Sequence, residues 1–375
     1  MSFPALPLDR PWRVLGLMSG TSADGVDAVV IEVDPAGFRG GRPFLTLRAH
    51  HHHPYPEALH HRVVEAASDR LRPGELCVLQ RDLGELNAEA AAALAAEAPD
   101  LACLHGQTVQ HQPSRGATLQ LADPYPLALR LNCPVVWDLR RMDMALGGQG
   151  APLVPLTEVW LRGQASPWAA LNLGGIANVT LWDGERVQAW DVGPGMSLLD
   201  LAARRWLGIP FDPGGAYALG TVEEILLARW MAHPYFAQLP PKSTGREAFG
   251  AAWLDGETPA LEALPLPDRL ATLAAFSAEA IARELGRIPH LPRTGLVSGG
   301  GSHHARLRAE LAHRLPHLPF TEDEAFPAGA REAISWALLG AAGAAGVPGN
   351  VPEVTGASRP AVLGSWAFPS TGSQC

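Results

Sequence analysis

Apolar runs of strand length alternate with stretches of helical spacing along most of this chain, the pattern of an α/β protein. Val14–Met18 and Val26–Val33 read as strands flanking a small-residue turn. Cys77–Ala98 has helical spacing and strong helix formers, and Pro99 marks its end. Leu101–Leu104 reads as a buried strand running into His105-Gly-Gln-Thr-Val109, and Thr118–Leu121 and Pro134–Trp137 as short strands around a helix near Pro126–Leu131. A second set opens with three strands, Trp168–Leu173, Ile176–Trp182 and Arg186–Asp191, joined at Gly174-Gly175 and at the strong hairpin signal Asp183-Gly184. The run Ser197–Leu207 is helical in spacing. Asp268 is placed to cap a long helix through Leu285, stopped by Gly286. Gly295–Ser298 reads as a strand followed by a helix over Ser302–Leu315, with Ser302 as N-cap, and Ala328–Ala345 as a small-residue helix buried on most sides. Between Leu207 and Pro267, Pro and Gly are frequent and helices short, as in an insertion; the tail after Gly364 is expected to fray.

Composition narrows the class of function. A chain of 375 residues can bury two sizeable cores. Hydrophobic content of 47% and mean hydropathy of +0.03 favour a soluble protein. The longest apolar stretch, Ala333–Val347, is interrupted by Gly340, Gly343 and Gly346 and is too short to span a bilayer. Met1–Arg13 lacks the apolar core of a secretory signal. Cys77, Cys103, Cys133 and Cys375 are widely spaced and form no metal or redox motif, which suits a reducing cytoplasm. A net charge of −9 argues against nucleic acid or an anionic membrane as partner, so an anionic substrate has to be met by local charge.

Candidate chemistry gathers in the turns. In Leu15–Asp27, Gly20 and Gly25 permit backbone conformations closed to other residues, so turn amides with Ser19, Thr21 and Ser22 can face a phosphate. The Gly-x4-Gly-Lys-Ser/Thr pattern is absent, which excludes a P-loop. The glycine hairpin at Gly174-Gly175 repeats the arrangement in the second half. A third glycine run, Gly299–Gly301, allows close approach of a flat ligand such as adenine. The three loops together resemble the sugar kinase, Hsp70 and actin superfamily, in which two lobes clamp a nucleotide between hairpins. The expected fold is therefore α/β: a two-lobed actin-like ATPase with a nucleotide cleft between the lobes. Its expected division is 1–145, with 350–375 returning to it, and 146–349.

Among polar groups, His105, Gln107, Thr108 and His111 follow a strand, where α/β proteins place ligands. Arg140 is a candidate to grip a ligand carboxylate, since its fork can bind two oxygens. Asp143 is an alternative bridge to Arg140 or Arg141. Asp24, Asp138, Asp191 and Glu332 share the candidacy for general base, with Asp191 singled out by its place at a strand end before Gly193-Pro-Gly195. Pro240-Pro-Lys-Ser-Thr-Gly-Arg246 reads either as a loop of the site or as a solvated surface loop. His50–His53 and His60-His61 lack HExxH spacing and point to no catalytic metal.

Several blocks are similar to the anhydro-N-acetylmuramic acid kinase family. They are Gly16–Asp27, His105-Gly-Gln-Thr-Val109, Gly147-Gly-Gln-Gly-Ala-Pro-Leu-Val-Pro155, Asn172-Leu-Gly-Gly-Ile-Ala-Asn178, Pro240-Pro-Lys-Ser-Thr-Gly-Arg-Glu247, the Gly299–Gly301 run, Glu332 and Val351-Pro-Glu-Val-Thr-Gly-Ala357. They occur in the family's order from about Val14 to Gly364. The resemblance implies a bacterial cytoplasmic enzyme, a homodimer, that uses ATP and water to open and phosphorylate 1,6-anhydro-N-acetylmuramic acid in cell-wall recycling. It implies Asp191 as general base and Ser19, Gly20, Thr21, Ser22, Gly174 and Gly175 around the phosphates. Asp24 would help hold hydrated Mg²⁺, Gly300 and Gly301 would lie against adenosine, and Arg140, His105, Gln107 and Glu332 would contact the sugar.

The chain departs from the family's usual Asp-Thr-Gly-Pro-Gly-Asn, reading Asp191-Val-Gly-Pro-Gly-Met196, and has Leu139 for Phe and Glu158 where histidine is common. Loss of polar groups at Val192 and Met196 raises two alternatives: a non-catalytic, nucleotide-gated sensor of cell-wall sugars, or a kinase of another sugar.

Overall fold

The computed structural model describes residues 6, 9–20, 23–240, 242–327 and 329–369. The chain divides into two compact units, the first formed by Met1–Gly163 and Ala325–Cys375 and the second by Gln164–Glu324.

The first unit opens with β1 (Trp12–Ser19), β2 (Gly25–Val33) and β3 (Leu45–Pro54), followed by α1 (Glu57–Ala67), α2 (Pro73–Ala92), β4 (Leu101–Gln112) and β5 (Ala117–Leu121). Then come α3 (Pro124–Leu131), β6 (Val135–Trp137), α4 (Arg141–Ala145) and α5 (Val154–Arg162). The second unit holds β7 (Trp168–Leu173), β8 (Ile176–Trp182), β9 (Val187–Pro194), α6 (Ser197–Leu207), α7 (Glu224–Met231), α8 (Ala251–Glu262), α9 (Leu266–Leu285), β10 (Gly295–Ser298), α10 (Ala305–Arg314) and β11 (Phe320–Glu322). The chain returns to the first unit for α11 (Ala330–Ala344), α12 (Pro352–Thr355) and β12 (Ser365–Ala367).

The first sheet has the order β12-β6-β4-β1-β2-β3, with β5 added on β4. β4 runs parallel to β1 and β6, and the remaining pairs are antiparallel. Apolar clusters cover both faces, so β1 and β2 are buried along nearly their whole length. One cluster includes α11, whose alanines and glycines let it lie almost on the strands. A Cβ added at Gly16 would sit 2.2 Å from the Ala333 carbonyl, and one at Gly340 would sit 2.6 Å from Cys103 Cβ. The second sheet, β11-β10-β7-β8-β9, packs against α9, which is buried along most of its length.

The α/β class and the two-lobed division expected of an actin-like ATPase are present, and a glycine hairpin opens each unit. The units part at 163/164 and 324/325, whereas the sequence suggested 145/146 and 349/350. The difference lies mainly in α5 and α11, which pack on each other, with α11 covering β1, β2 and β4.

Several local expectations are corrected. Ser365–Ala367, just past Gly364, form β12, paired antiparallel with β6, because their backbone groups complete an otherwise open edge; residues 370–375 of the tail lie outside the described residues. Ser302 lies in a short 3-10 turn, and the cap of α10 is His304, whose Nδ1 accepts the Leu307 N–H at 3.2 Å. α9 begins at Leu266, and Asp268 accepts instead from Thr221 N at 2.8 Å, tying down the segment before α7. The histidine run belongs to β3: His50 and His52 face Asp27 on β2, at 3.3 and 3.0 Å.

Candidate active site

The turn after β1 is braced from inside the first unit. The Gly20 carbonyl accepts from Ala23 N at 3.2 Å and from Gln107 Nε2 at 3.0 Å. The Tyr55 hydroxyl donates to Gln107 Oε1 at 3.1 Å, Tyr55 N donates to the Asp24 carbonyl at 2.9 Å, and His60 Nδ1 meets the Ala23 carbonyl at 2.7 Å. Gln107 is 1% exposed with both amide ends engaged, which makes it a brace of the turn. Burial pushes the Tyr55 phenol up to about 12, so it remains a donor at physiological pH. Ser19 is buried at the end of β1, while the Asp24 side chain is exposed. Thr21 and Ser22 lie outside the described residues. Sequence reasoning missed Tyr55 and His60, which lie 31 and 37 positions from Asp24 and Ala23, the turn residues they hold.

A second constellation gathers on β4, which runs on through His105, Gln107, Thr108 and His111 to Gln112 and not, as the sequence suggested, only to Leu104, and just past the end of β6. Neutral His105 accepts from Arg140 Nη2 at 2.9 Å, burial and the guanidinium holding its imidazole well below the ordinary range. Arg140 Nη1 donates to the Gly150 carbonyl at 2.8 Å. Both rest on Trp336 of α11: the His105 ring lies 4.2 Å from the indole centroid and the guanidinium 5.0 Å. Burial lowers Arg140 to about 10, so it stays charged, and Glu332 acts on it electrostatically from the first turn of α11. The Glu332 side chain is exposed at its surface, yet desolvation raises its carboxyl, with Arg140 opposing and Asp27 adding to the rise. Trp336 was not singled out from sequence, because an apolar position on a buried helix looks like core.

Asp143 pairs with neither arginine among the described residues. Its fully buried carboxylate accepts from Gly150 N at 2.8 Å, Asn350 Nδ2 at 2.6 Å and Thr355 Oγ1 at 2.7 Å. These bonds tie the 147–150 loop, and so the carbonyl that holds Arg140, to Asn350 just before α12 and Thr355 at its end. Arg141 pairs with Asp138 at 3.2 Å. Burial raises the Asp138 carboxyl and Arg141 draws it down; both residues line a recess with His105, Gln120 and Trp137.

In the second unit, the Gly174-Gly175 turn caps the start of α6. Gly175 O accepts from Gly195 N and Ser197 N, both at 3.0 Å, and Gly174 O from Met196 N at 2.8 Å. A Cβ at Gly195 would stand 2.2 Å from Gly174 O, so only glycine permits this approach. Of the third glycine run, Gly301 faces Leu173 and Met196, whereas a Cβ at Gly300 would meet nothing within 4 Å. Gly300 thus offers an open surface and Gly301 a packed one.

Asp191 sits where β9 bulges: Asn178 pairs with Asp191 and Ala177 with Gly193, leaving Val192 without a partner. Asp191 Oδ2 accepts the Thr244 N–H at 3.0 Å, and no ion pair to Asp191 occurs among the described residues. Desolvation raises the carboxyl to about 6; the Thr244 bond lowers it and Glu247 raises it. The group is thus a partly desolvated carboxylate, ionised at neutral pH and poised to take a proton. Val192 is 0% and Met196 9% exposed, and both belong to the apolar core. Their apolar character fills that core.

Among the described residues no group of three or more His, Cys, Asp or Glu is arranged to hold a metal ion, and no helix is long and apolar enough to cross a membrane. A family model for anhydro-N-acetylmuramic acid kinase matches residues 12–369. The chain is 44% identical over 379 residues to the anhydro-N-acetylmuramic acid kinase of Synechococcus sp. strain CC9605, covering 95% of this chain and 99% of that one. It is 40% identical over 374 residues to that of Gloeobacter violaceus, with 94% and 98% covered. Among solved structures, a ROK family glucokinase from Streptomyces griseus in complex with glucose and AMPPNP aligns with a TM-score of 0.38 at 14% identity, over 88% of this chain and 99% of that one.

Proposed function

The chain belongs to the anhydro-N-acetylmuramic acid kinase family, and from that premise we propose that it converts 1,6-anhydro-N-acetylmuramic acid, ATP and water into N-acetylmuramic acid 6-phosphate and ADP, with Asp191 as general base. Asp191 takes a proton from the water that attacks the anomeric carbon. The bond from that carbon to oxygen six breaks, and oxygen six attacks the γ-phosphorus as ADP departs. General-base help of this kind is worth about 10²–10⁴ in rate. Positioning and charge neutralisation supply the rest of phosphoryl transfer.

The observation that carries the reading is the state of Asp191. One oxygen is fixed by the Thr244 N–H, and desolvation leaves the carboxyl near 6, where it is both ionised and basic enough to act. Arg140, with Glu332 beside it, takes the lactyl carboxylate and hydroxyls of the sugar. His105 orients the guanidinium from below. Following the family, Ser19, Gly20, Thr21 and Ser22 and, in the second unit, Gly174 and Gly175 would serve the phosphates, and the open surface at Gly300, with Gly301 behind it, would serve adenosine.

The exposed carboxylate of Asp24 would help hold Mg²⁺, an ion that prefers oxygen ligands and keeps several waters. Bound there, the ion would supply positive charge to offset that of the transferred phosphoryl group. We place the enzyme in the cytoplasm as a homodimer, following the family.

The core location of Val192 and Met196 favours catalysis over a decayed sensor, since polar side chains there would lie in the apolar cluster. Incubation with ATP, Mg²⁺ and the anhydrosugar is expected to yield stoichiometric ADP and phosphosugar. Folded protein that binds both ligands without turnover would establish the sensor instead, and preference for a different sugar in competition would reassign the substrate.

A further inference from the structure

Lys242 is the only lysine in the chain; every other basic side chain among its 29 Lys and Arg residues is arginine. It is also among the most deeply buried charges, with 2% of its side chain exposed against 1% for its partner Glu284 on α9. The ammonium meets Glu284 Oε1 at 3.0 Å, donates to the Tyr235 carbonyl at 3.2 Å, and stands 4.4 Å from the Tyr235 ring centroid. Arg287 reaches the same Glu284 oxygen at 2.9 Å and donates to the Phe236 carbonyl at 2.5 Å. A compact ammonium fits this enclosure where a planar guanidinium fork does not.

The segment gripped in this way closes the outer edge of β9. That strand ends its sheet, so its outward N–H and C=O groups have no strand partner. At Asp191 the N–H donates to the Lys242 carbonyl at 3.2 Å, and the carbonyl accepts the Tyr235 hydroxyl at 2.5 Å. Two residues beyond Lys242, the Thr244 N–H holds the Asp191 carboxylate at 3.0 Å. The backbone and the side chain of Asp191 are therefore both held by residues that Lys242 joins.

We propose that Lys242, locked against Glu284, is a positioning residue that holds the 242–244 segment on the edge of β9 and so aims the carboxylate of Asp191. The inference rests on the reading of Asp191 as the base. It assigns Lys242 no contact with substrate. The groups acting on Asp191 are the Thr244 N–H and the Glu247 carboxylate, while the Tyr235 hydroxyl is engaged by its backbone. Lys242 itself is surrounded by Glu284, Arg283 and Arg287.

The test compares full-length Lys242→Met, Lys242→Arg and the apolar pair Lys242→Met/Glu284→Leu, which removes both members of the buried pair and leaves Arg287, 30% exposed, on the Phe236 carbonyl. Aiming by Lys242 predicts that kcat falls about tenfold or more in each, with KM for both substrates within about threefold, as for an interaction made chiefly in the transition state. Slackening of the Thr244 bond also moves the acidic limb of the kcat/KM profile to higher pH. Thr244→Pro, which removes that N–H together with the side-chain hydroxyl and fixes φ, moves the limb the same way. Folded variants with lowered thermal stability but wild-type kcat and an unmoved limb would overturn the proposal. Near-normal turnover by Asp191→Asn is a separate result, which would remove the base assignment.

Discussion

The backbone N–H of Thr244 donates to Oδ2 of Asp191 at 3.0 Å, so the candidate base is oriented by a group that carries no charge of its own. Desolvation sets the carboxyl near 6 against this bond, and Glu247 adds to the rise. Because the ionised form is the active one, kcat/KM is expected to fall about tenfold per pH unit below that value. Glu247→Gln removes a raising influence and should move the limb to more acid pH. Asp191→Asn should bind both substrates and turn over about 10²–10⁴ more slowly. A pH–rate profile of the three proteins decides these points; an Asn variant of normal rate would count against the role.

The same shift has a consequence for stability, with a definite sign. The Asp191 carboxyl rises on folding from 3.8 to about 6, so the unfolded chain ionises first as pH increases. The resulting penalty is absent well below 3.8, grows between the two values and is complete above about 6. At about 1.4 kcal/mol per pKa unit, it reaches at most roughly 3 kcal/mol. Asp191→Asn, which keeps an acceptor for Thr244, should thus melt at higher temperature than the parent at pH 8 and at a similar temperature near pH 4. Equal melting points at both pH values would show that Asp191 is not desolvated.

Arg140 is fixed by three groups at once: the Gly150 carbonyl, His105 Nε2 and the face of Trp336. Lysine retains the charge but not the planar fork that makes this geometry. Arg140→Lys is expected to lower kcat/KM for the sugar by about 10–100-fold, equivalent to about 1.4–2.8 kcal/mol, while KM for ATP stays within about threefold. Trp336→Leu should reproduce part of the loss by removing the surface on which His105 and Arg140 rest. Steady-state kinetics with each substrate varied in turn separates the effects; a change confined to ATP would assign Arg140 elsewhere.

What could be read from sequence and what could not follow physical lines. The hairpins around Gly20 and Gly174-Gly175, the strand that carries Asp191 and the small-residue helix α11 were legible, because turn chemistry and apolar spacing are local signals; that strand does not end at Asp191 but runs on to Pro194, paired past the bulge at Val192. β3 was not, since four consecutive histidines mask its alternation until Asp27 on the neighbouring strand shows which side they face. The same holds for Gln107. Its position after a strand suggested a ligand contact, but its partners, Gly20 and Tyr55, are remote in sequence and give it a role inside the protein. Lys242 read as part of a polar loop because Glu284 lies 42 positions further on, near the end of a helix whose buried side is mostly apolar.

The brace at Gln107 can be separated from substrate binding. Gln107→Leu keeps the bulk but removes the donor to Gly20 and the acceptor for the Tyr55 hydroxyl, leaving buried partners unsatisfied. A stability loss of about 1–3 kcal/mol is expected. If Gln107 only supports the turn, KM for ATP should rise while KM for the sugar remains within about twofold of the parent. Calorimetry and nucleotide titration check this pair of outcomes; a selective loss of sugar affinity would show instead that Gln107 reaches the sugar.

Gly300 and Gly301 are neighbours with opposite surroundings, and alanine at each should therefore do opposite things. A Cβ at Gly301 would stand 2.8 Å from Leu173 Cβ and 2.9 Å from Met196 Sδ, so Gly301→Ala must displace two core side chains. Overpacking of that kind costs about 1–3 kcal/mol, and a lower melting temperature is expected without nucleotide present. At Gly300 the added methyl meets nothing within 4 Å, and its backbone lies outside the left-handed region, so the free protein should keep the parent's melting temperature. If adenosine rests on that open surface, the methyl intrudes on the ligand alone, and the affinity for ATP should fall several-fold. Equal ATP affinity in Gly300→Ala and the parent would remove adenosine from this loop, whereas equal melting temperatures in all three proteins would contradict the packing at Gly301.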